Sequence, residues 1–523
     1  MSIERALVSV SDKRDVVDFA RELAEMGIEI VSTGGTARVL RSAGIECRSV
    51  ADLTGAPEML DGRVKTLHPK IHGALLSLPE KEGHSETLAR EGIERIDMVV
   101  VNLYPFEKIA ASVGATLPDV LDEIDIGGVT LLRAGAKNFA HVAVVSSPDQ
   151  YGRVLELLKE HGGDLPIEER RHLAVAAFAR TRDYDRAIHR HLVTEDEPEP
   201  DFPNYLTLEY EKVSPLRYGE NPHQRAALYR AHPLRSDASP VNAVQHSGKE
   251  LSYNNLADLD AALAIVREFS KPAAAVIKHA TPCGVATGPT LAEAYADALA
   301  CDEMSAFGSI IALNRTVDLE TAERIHGTRF VEAVIAPDYY RNALDLMKGK
   351  KNRRLLATPF PDPVRYGLAP DRQIKWLSGG GLLVQDLDVN GEEGEMQLTT
   401  ATKREPTDEE LESLLFAWRV VKHVRSNAIV LASGTKTIGI GAGQMSRVDA
   451  SVLAVWKAGE RVKGSVMASD AFFPMRDAVD AAAEAGVTAI IQPGGSKGDE
   501  DVVAAADERG IAMVMTGRRH FRH

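Results

Sequence analysis

Short apolar runs alternate with amphipathic segments over roughly the first 190 residues of the chain. Residues 6–10 and 28–31 are apolar runs of strand length, and between them apolar side chains recur at helical spacing from Val16 to Leu23. Two further runs, at residues 98–101 and 142–145, continue the pattern. Strands that alternate with helices indicate a parallel α/β sheet, whose ligands bind beyond the carboxyl ends of the strands.

An acidic and proline-rich run interrupts this pattern. Residues 194–201 read Thr-Glu-Asp-Glu-Pro-Glu-Pro-Asp, a composition that buries little apolar surface and disfavours helix. We therefore predict a first domain over residues 1–193 and a linker over residues 194–204.

The rest of the chain returns to strands followed by helices. Apolar runs of strand length occur at residues 273–277, 309–313, 428–431 and 488–491. A proline-rich stretch near residues 354–371 predicts a boundary between two α/β lobes, over residues 205–360 and 361–523. No short tandem repeat is visible in this region.

Charge and composition narrow the class of protein. Lys and Arg number 61 and Asp and Glu 76, so the formal charge of −15 argues against nucleic-acid binding, which needs a basic surface. No apolar run approaches the length of about 18 residues that a membrane helix needs, and the start of the chain has no apolar export signal. Three cysteines are too few for a disulfide framework. We expect a cytoplasmic enzyme that binds neither nucleic acid nor membrane.

Polar and glycine-rich segments follow several predicted strands of the first domain. Ser32-Thr33-Gly34-Gly35-Thr36 offers hydroxyls and amides to a phosphate at a helix start, although the same residues suit an ordinary capped helix. Ser11 and Asp12 are likewise helix-capping side chains, and Lys13 adds a cation. Similar segments lie at residues 63–69, 102–106 and 125–130, and Arg133, Lys137 and Asn138 follow at helical spacing. Each alone suits a turn or a surface ion pair, but together they predict a site for a phosphorylated small molecule.

In the second half of the chain, Lys278 and His279 leave a predicted strand together. A histidine beside a lysine can act as a base with an electrostatic partner, although a surface location is commoner for such a pair. Pro282-Cys283 follows and suggests a zinc deaminase. The signature of those enzymes is H-x-E with P-C-x-x-C. The second cysteine is missing, and Cys47 and Cys301 lie at no ligand spacing, so no zinc site is predicted.

The segments of the first domain resemble the inosine monophosphate (IMP) cyclohydrolase domain of the bifunctional purine biosynthesis family, which has a methylglyoxal-synthase-like fold. The resemblance implies that a formylated aminoimidazole carboxamide ribotide (FAICAR) closes to IMP with loss of water. It further implies that Lys137 transfers protons, with Tyr104 and Asp125 assisting. The residues that would bind the nucleotide are Ser11, Asp12, Lys13, Ser32, Thr33, Gly34, Gly35, Arg63, Val64, Lys65, Thr66, Asn102, Ile126 and Gly127.

The second half resembles the transformylase half of the same family, whose fold is a pair of cytidine-deaminase-like α/β lobes without zinc. The matching segments, in order along the chain, are residues 217–224, 278–284, 305–308, 335–337, 426–427, 441–444, 469–474 and 519–523. The resemblance implies transfer of a formyl group from 10-formyltetrahydrofolate to the 5-amino group of the aminoimidazole carboxamide ribotide (AICAR). It also implies active sites across a homodimer interface.

The same resemblance assigns roles in formyl transfer. His279 would be the base and Lys278 its electrostatic helper. The residues that would bind AICAR are Arg217, Tyr218, Gly308, Glu332, Asn427 and Arg519. The residues on the folate side would be Arg447, Phe472, Asp477, Ser496 and Lys497. A monovalent cation such as potassium would bind near Asp470.

Three functional hypotheses follow from the sequence. The first is an enzyme that carries out both steps, formyl transfer and then ring closure. The second is a deaminase-like hydrolase with a nucleotide-binding regulatory domain, which the missing P-C-x-x-C motif disfavours. The third is a nucleotide sensor in which the same pockets bind without catalysis. Incubation of the purified protein with AICAR and 10-formyltetrahydrofolate separates the three hypotheses, because only the first predicts IMP as the product.

Overall fold

The computed structural model describes residues 2–110, 112, 114–193, 202–231, 238–360, 372–388 and 397–523. The chain forms two compact units, Met1–Leu206 and Thr207–His523. Most of the predicted linker, residues 194–201, lies outside the described residues, as does the stretch 361–371 at the predicted lobe boundary. Among the described residues, no helix is both long enough and apolar enough to cross a membrane.

The first unit is built on a parallel sheet with the strand order β3-β2-β1-β4-β5 among its described residues. The strands are β1 (Arg5–Val10), β2 (Glu29–Ser32), β3 (Arg48–Ser49), β4 (Met98–Asn102) and β5 (Ala143–Val145). The helices are α1 (Val16–Glu25), α2 (Gly34–Ser42), α3 (Val50–Thr54), α4 (Pro69–Leu76), α5 (Glu82–Glu91), α6 (Phe106–Ala110), α7 (Leu117–Asp122), α8 (Gly127–Lys137), α9 (Tyr151–Glu160) and α10 (Ile167–Leu192). The predicted parallel sheet is therefore confirmed.

The predicted helix caps in this unit are wrong. Helix α1 begins after Asp15, which has a left-handed backbone (φ 56°) and no side-chain cap, so Ser11 and Asp12 lie outside the helix. Helix α2 begins after Thr33, whose side chain does not cap it either. The Thr33 hydroxyl instead lies 2.8 Å from the Ser9 hydroxyl, a contact between neighbouring strands that local sequence does not reveal.

The second unit contains one long mixed sheet, which orders its described strands β16-β21-β20-β19-β17-β18-β10-β9-β11-β12-β13-β8. Its strands are β8 (Val244–Ser247), β9 (Ala273–Lys278), β10 (Thr281–Thr287), β11 (Ser309–Leu313), β12 (Val331–Ala336), β13 (Arg354–Ala357), β16 (Thr399–Thr400), β17 (Ile429–Ser433), β18 (Lys436–Gly441), β19 (Val466–Ser469), β20 (Ala489–Gln492) and β21 (Ala512–Met515). Two separate hairpins pair β6 (Tyr210–Leu216) with β7 (Ala226–Ala231) and β14 (Arg372–Trp376) with β15 (Leu382–Asp386).

The helices of this unit cover both faces of the long sheet. They are α11 (Tyr253–Val266), α12 (Leu291–Cys301), α13 (Leu319–Gly327), α14 (Arg341–Met347), α15 (Asp408–Val421), α16 (Arg447–Ala458), α17 (Asp477–Ala485) and α18 (Asp499–Glu508). Because β13 belongs to the first lobe's part of the sheet, residues 354–357 lie inside that lobe and are not part of a boundary.

The two lobes repeat one topology. The element order α11-β9-β10-α12-β11-α13-β12-α14-β13 recurs as α15-β17-β18-α16-β19-α17-β20-α18-β21. The strand order is mirrored about the β10–β18 contact, which is antiparallel and pairs Ala286 with Lys436. One core cluster, which includes α11 and α15, spans both lobes, whereas the opposite face carries a separate core for each lobe.

Glycines allow one helix of each lobe to pack closely on the central strands. A Cβ built on Gly284 of β10 would overlap the carbonyl oxygen of Ala298 in α12. A Cβ built on the equivalent Gly439 of β18 would overlap the carbonyl oxygen of Ala454 in α16 in the same way. Both contacts are with backbone, which moves only at the cost of distorting the helix.

We expect Gly284→Ala to destabilise the second unit by about 2 kcal/mol, because overpacking against backbone costs that order of free energy. Gly327→Ala is the matched control, since a Cβ at the end of α13 meets nothing within 4 Å. Urea unfolding followed by circular dichroism measures both variants. Equal midpoints for the two variants would contradict this packing argument.

Candidate active sites

The first site lies at the carboxyl edge of the parallel sheet, where β1, β2 and β4 end. The Asn102 side chain holds the loop that follows β1: its Oδ1 accepts the amides of Ser11 at 2.6 Å and Asp12 at 2.8 Å. Its Nδ2 donates to the Asp12 carbonyl oxygen at 2.9 Å. The loop that carries Lys13 is therefore fixed by a side chain 90 residues away along the chain.

The turn before α2 is arranged to receive an anion. The Ser32 hydroxyl donates to the Val8 carbonyl oxygen at 2.8 Å, which leaves the backbone of the turn to face outward. The first amides of a helix carry partial positive charge, and α2 has no side-chain cap among the described residues. A Cβ built on Gly34 would lie 3.7 Å from the Nζ of Lys65, so a lysine ammonium lies beside this helix start.

Lys65 lines a pocket at this edge, and Lys13 lies close enough for the two charges to interact. Burial lowers the pKa of Lys13, and the positive charge of Lys65 lowers it further against the opposing charge of Asp12. The pocket has a volume of about 200 Å³. It is lined by Ser32, Thr33, Gly34, Ser49, Val50, Ala51, Thr54, Ala56, Pro57, Glu58, Met59, Val64, Lys65, Leu67 and His68. His68 belongs to the polar segment 63–69 that the sequence analysis marked, whereas Glu58 was missed because nothing local marks it as a pocket residue.

Asp125 lies where α8 begins, next to this pocket. Burial raises the pKa of Asp125, although the amides of Gly128 and Tyr104 and the charge of Lys65 oppose the rise. The Gly128 amide donates to the carboxylate at 2.6 Å. Burial likewise raises the pKa of Tyr104, and the negative charge of Asp125 adds to the effect. A Cβ on Gly127 would lie 2.5 Å from the Oγ1 of Thr66, so a glycine at this position lets Thr66 approach the start of α8.

Tyr184 is a positioning residue for Asp125 that sequence reasoning also missed. Its hydroxyl accepts the Asp125 amide at 2.8 Å and donates to the Glu123 carbonyl oxygen at 3.0 Å. The tyrosine belongs to α10, about 60 residues downstream, and no motif links the two positions.

Three residues that the resemblance assigned to this site are exposed, and their part in it stays a prediction. Arg63 is exposed and forms an ion pair with Asp122, and Ile126 is also exposed. Lys137 is exposed at the far end of α8, ten residues after Gly127, and a helix rises about 15 Å over that length. The lysine does not reach Asp125 within the same chain.

The second site is built around a tight turn between β9 and β10. Lys278 pairs with Thr281, so His279 and Ala280 form the two-residue turn, and both have left-handed backbones (φ 52° and 55°). Hairpin turns of this kind prefer Asn-Gly, because a Cβ is disfavoured at positive φ. A histidine here stores backbone strain of about 1–3 kcal/mol, a feature that is common at functional sites.

Asp258 of α11 holds this strained turn in place. Its Oδ1 accepts the Ala280 amide at 2.6 Å. Burial raises the pKa of Asp258, and the amides of Ala280 and His279 and the charge of His279 oppose the rise. One helical turn earlier, Asn254 donates to the Glu220 carbonyl oxygen at 3.3 Å. A single face of α11 thus anchors both the catalytic turn and the segment that carries Arg217 and Tyr218.

Lys278 points along the sheet edge toward the start of β11. Its Nζ donates to the Phe307 carbonyl oxygen at 2.6 Å. Gly308 has φ 74°, and a Cβ there would lie 3.2 Å from the same Nζ, so the close approach requires glycine. In the neighbouring strand, Glu332 pairs with Arg354 at 2.5 Å. The structure therefore brings Lys278, His279, Gly308 and Glu332 to one part of the edge.

In the second lobe, a buried polar network surrounds Asp470. Arg447 donates to the Asp470 carboxylate, to the Ser469 hydroxyl at 2.8 Å and to the Asn427 Oδ1 at 2.7 Å. The Ser426 hydroxyl donates to the other carboxylate oxygen of Asp470. Both oxygens therefore have protein partners, and the cation near Asp470 stays a prediction. Among the described residues, no group of three or more His, Cys, Asp or Glu is arranged to hold a metal.

The C-terminal tail packs against this network. The His520 amide donates to the Asp470 carbonyl oxygen at 2.9 Å, and the Arg522 amide donates to the Ser426 hydroxyl at 3.0 Å. The Arg519 guanidinium lies 4.4 Å from the centre of the Phe521 ring. A cavity of about 310 Å³ is lined by Ser426, Asn427, Gly443, Gln444, Met445, Phe521 and His523. The tail is thus part of the site rather than a frayed end.

The residues assigned to folate lie in two adjacent loops. Phe472 and Asp477 follow β19, and Ser496 and Lys497 follow β20. A Cβ on Gly498 would lie 2.8 Å from the Pro474 carbonyl oxygen, so the two loops are in contact. Arg447 is buried at the base of this region and reaches it through the network around Asp470.

Comparison with known proteins identifies the family of the chain. The family model "MGS-like domain" matches residues 15–130, and "AICARFT/IMPCHase bienzyme" matches residues 135–457. The chain is 52% identical to "Bifunctional purine biosynthesis protein PurH" of Magnetococcus marinus, over 100% of this chain and 99% of the relative. It is 49% identical to PurH of Bacillus subtilis, over 100% of each chain. The chain belongs to the PurH family.

Membership of the PurH family confirms the predicted fold and activity. The chain is a bifunctional enzyme of the last two steps of purine biosynthesis, with 10-formyltetrahydrofolate as the cosubstrate of its formyltransferase half. The deaminase-like hydrolase is therefore rejected. A solved structure titled "Crystal structure of ForH" is 38% identical and covers 36% of this chain and 99% of its own, with a TM-score of 0.32.

We expect Asp258→Ala to speed amide hydrogen exchange in residues 278–282 by at least about tenfold, because the turn loses its acceptor. Asp258→Asn keeps an acceptor oxygen and should stay close to the parent protein. Adding Ala280→Gly to Asp258→Ala should restore protection, since glycine removes the penalty at φ 55°. Unchanged exchange in Asp258→Ala, measured by mass spectrometry, would show that the carboxylate does not hold the turn.

Proposed function

We propose that formyl transfer takes place at the Lys278–His279 turn and ring closure at the pocket beside Lys65 and Asp125. The observation that carries the first assignment is the strained turn itself. It presents an imidazole and an ammonium group together at the sheet edge, and Asp258 holds the backbone of the turn by accepting the Ala280 amide.

Formyl transfer requires activation of a weak nucleophile. The 5-amino group of AICAR is conjugated with the imidazole ring, so its nitrogen attacks the formyl carbon only as a proton is removed. His279 accepts that proton. The Lys278 ammonium, which the Phe307 carbonyl oxygen holds at 2.6 Å, stabilises the negative charge that develops on the formyl oxygen. As the tetrahedral intermediate collapses, the bond between the formyl carbon and N10 of the folate breaks, and His279 returns its proton to N10, so that tetrahydrofolate leaves.

Substrate contacts in this site are proposed from the resemblance together with the geometry. On the side of the turn, Arg217, Tyr218, Gly308 and Glu332 would hold AICAR. On the side of the Asp470 network, Asn427 and Arg519 would complete its binding. The folate would lie along the adjacent loops at Arg447, Phe472, Asp477, Ser496 and Lys497. A monovalent cation near Asp470 stays a prediction of the resemblance, since a carboxylate oxygen that accepts one hydrogen bond keeps a lone pair for a cation.

The distance between the AICAR-binding residues near the His279 turn and those near the Asp470 network favours a homodimer. In the sheet order, five strand spacings separate β12, which carries Glu332, from β17, which follows Asn427. At about 4.8 Å per strand this is about 24 Å, longer than one ribotide. A second copy would bring the two groups together. Apolar side chains near the edge are also exposed, such as Met304 at 89% and Met445 at 90%, and contact between copies would cover them.

Ring closure is proposed to use the pocket of the first unit. The amides at the start of α2, with Lys65 and Lys13, would bind the phosphate. The carboxamide nitrogen attacks the formyl carbon, and the carbinolamine then loses water. Asp125 is suited to move these protons, because burial raises its pKa toward the working range of a general base. Tyr104 lies beside it as a donor. Lys137 would take part only if a second copy supplied it.

We propose a cytoplasmic location for the protein from the state of its cysteines. The three cysteines are buried as free thiols, and burial raises the pKa of Cys283 to about 12 and that of Cys301 to about 11. Such thiols stay protonated and unreactive, which agrees with a reducing cytoplasm.

His279→Ala should lower the kcat of formyl transfer by at least about 100-fold while ring closure of supplied FAICAR stays within twofold, because removal of the base affects only one site. Lys137→Ala should show the converse pattern. Separate assays with AICAR plus 10-formyltetrahydrofolate and with FAICAR measure the two steps. Loss of both activities in a folded variant would contradict two independent sites.

Lys65→Met should move the acid limb of ring closure, measured as kcat at saturating FAICAR, to higher pH. The reason is that Lys65 holds the pKa of Asp125 down, so loss of its charge lets that pKa rise further and the carboxylate form appears later as pH increases. Lys65→Arg keeps the charge and should keep the limb in place. A limb that shifts to lower pH in Lys65→Met would rule out Asp125 as the titrating base.

A further inference from the structure

A buried polar cluster joins the two lobes of the second unit. It consists of Glu268, which follows α11 in the first lobe, and of Lys422 and His423, which follow α15 in the second. The same carboxylate oxygen of Glu268 lies 2.5 Å from the Lys422 Nζ and 2.9 Å from the His423 Nε2, and all three side chains are at most 10% exposed. A buried ion pair adds little stability by itself, so its place between the lobes points to another role.

The two neighbours of the His423 ring fix which nitrogen carries the proton. Burial alone would raise the pKa of Glu268, but the His423 hydrogen bond and the Lys422 charge hold that pKa well below its usual range. A carboxylate only accepts, so the His423 Nε2 carries the proton and donates it. The Arg522 Nη1 lies 3.4 Å from Nδ1, and a guanidinium only donates, so Nδ1 accepts. Burial lowers the pKa of His423 against the opposing effect of Glu268, which favours this neutral form.

Arg522 is the residue at which this cluster meets the C-terminal tail. Its amide donates to the Ser426 hydroxyl at 3.0 Å, and its carbonyl oxygen accepts the Ser426 amide at 2.9 Å. Its guanidinium donates to the His423 carbonyl oxygen at 3.4 Å as well as to the ring. The charge of Asp260 in α11 attracts the guanidinium, and that of Arg425 repels it. Both the backbone and the side chain of Arg522 are therefore bound to residues 423–426.

Side chains of the tail alternate between inward and outward positions. His520 is 2% exposed and Arg522 is half-buried. Arg519, Phe521 and His523, which alternate with them, are exposed. Phe521 and His523 line the cavity of about 310 Å³ described above. A period of two is that of an extended chain, so the outward residues are placed by the anchors of the inward ones.

We propose that His423 is a positioning residue for AICAR binding. Its neutral ring links the Glu268 carboxylate of the first lobe to Arg522 of the tail, and this link holds Arg519 beside the cavity. The inference rests on the proposed function, in which Arg519 binds AICAR. His423 itself does not touch the substrate and acts only through the position of the tail.

His423→Phe in the full-length protein tests this inference, because phenylalanine keeps a ring and removes both of its hydrogen bonds. The KM for AICAR in formyl transfer should rise at least about tenfold, while kcat and the KM for 10-formyltetrahydrofolate stay within about threefold. Amide hydrogen exchange in residues 519–523 should speed at least about tenfold, whereas β17 stays protected. His423→Gln keeps a donor and an acceptor, so it should recover most of both losses.

Lys271→Met is the matched control. Lys271 pairs with Glu412 of α15 at 2.8 Å, so this variant also removes an ion pair between the lobes, but an exposed one. The KM for AICAR and the exchange of the tail should stay within about twofold of the parent values. Arg519→Met tests the proposed function separately and should raise the KM for AICAR.

Three results in folded His423→Phe would overturn the inference: unchanged exchange of the tail, an equal rise of the two KM values, or the same behaviour in His423→Gln. If Arg519→Met leaves the KM for AICAR unchanged, the proposed AICAR role of the tail fails, and the inference fails with it. Protection of β17 at the parent level shows that the variant is folded. If it is not, Arg522→Met, which removes the other partner at a half-buried position, replaces it and must give the same pattern.

Discussion

The proposed formyl-transfer site depends on the seam where β10 meets β18. The Thr437 hydroxyl accepts the Val285 amide at 2.9 Å and donates to the Val285 carbonyl oxygen at 3.1 Å, so one side chain repeats the bonds of a strand ladder. The backbone amide of Thr287 donates to the Thr435 carbonyl oxygen at 2.9 Å. Because the strands are antiparallel here, the hairpin end of the first lobe and the strand ends of the second lobe share one edge. A parallel pairing of β10 with β18 would instead place His279 and Asn427 at opposite edges of the sheet.

The two lobes use this shared edge in different ways. The first presents a strained turn with an imidazole and an ammonium group, which suits proton removal and charge stabilisation. The second presents an ion pair, Arg447 with Asp470, that is almost fully buried and has further hydrogen bonds on both partners. A buried pair of this kind adds little stability by itself, but loss of one partner leaves an uncompensated charge. Its effect here is to fix the backbone on which Asn427 and the tail are placed.

Sequence predicted the strands well and the contacts between distant residues poorly. Strands such as β4 and β11 are buried on both faces and appear as continuous apolar runs, which is a strong local signal. The predicted caps of α1 and α2 were wrong because the Asp12 carboxylate accepts the Arg14 amide at 2.9 Å before the helix, and the Thr33 hydroxyl contacts that of Ser9. Asp258 was missed because a single carboxylate on a helix is indistinguishable from a solvent-facing residue until its partner, 22 residues later, is placed beside it. Lys137 was predicted on the correct helix, but spacing alone does not tell which end of the helix faces the site.

The strained turn explains why Asp258 is needed at all. Asn-Gly would form the same hairpin without strain, so the turn sequence is not the one that stability favours. Histidine at this position costs about 1–3 kcal/mol and gains an imidazole at the tip of the hairpin, beside the Lys278 ammonium. A carboxylate that accepts backbone amides returns a comparable free energy, since hydrogen bonds to charged groups are worth about 1.5–3 kcal/mol. Function and stability are thus balanced between adjacent elements: β9 and β10 carry the strain, and α11 supplies the group that offsets it.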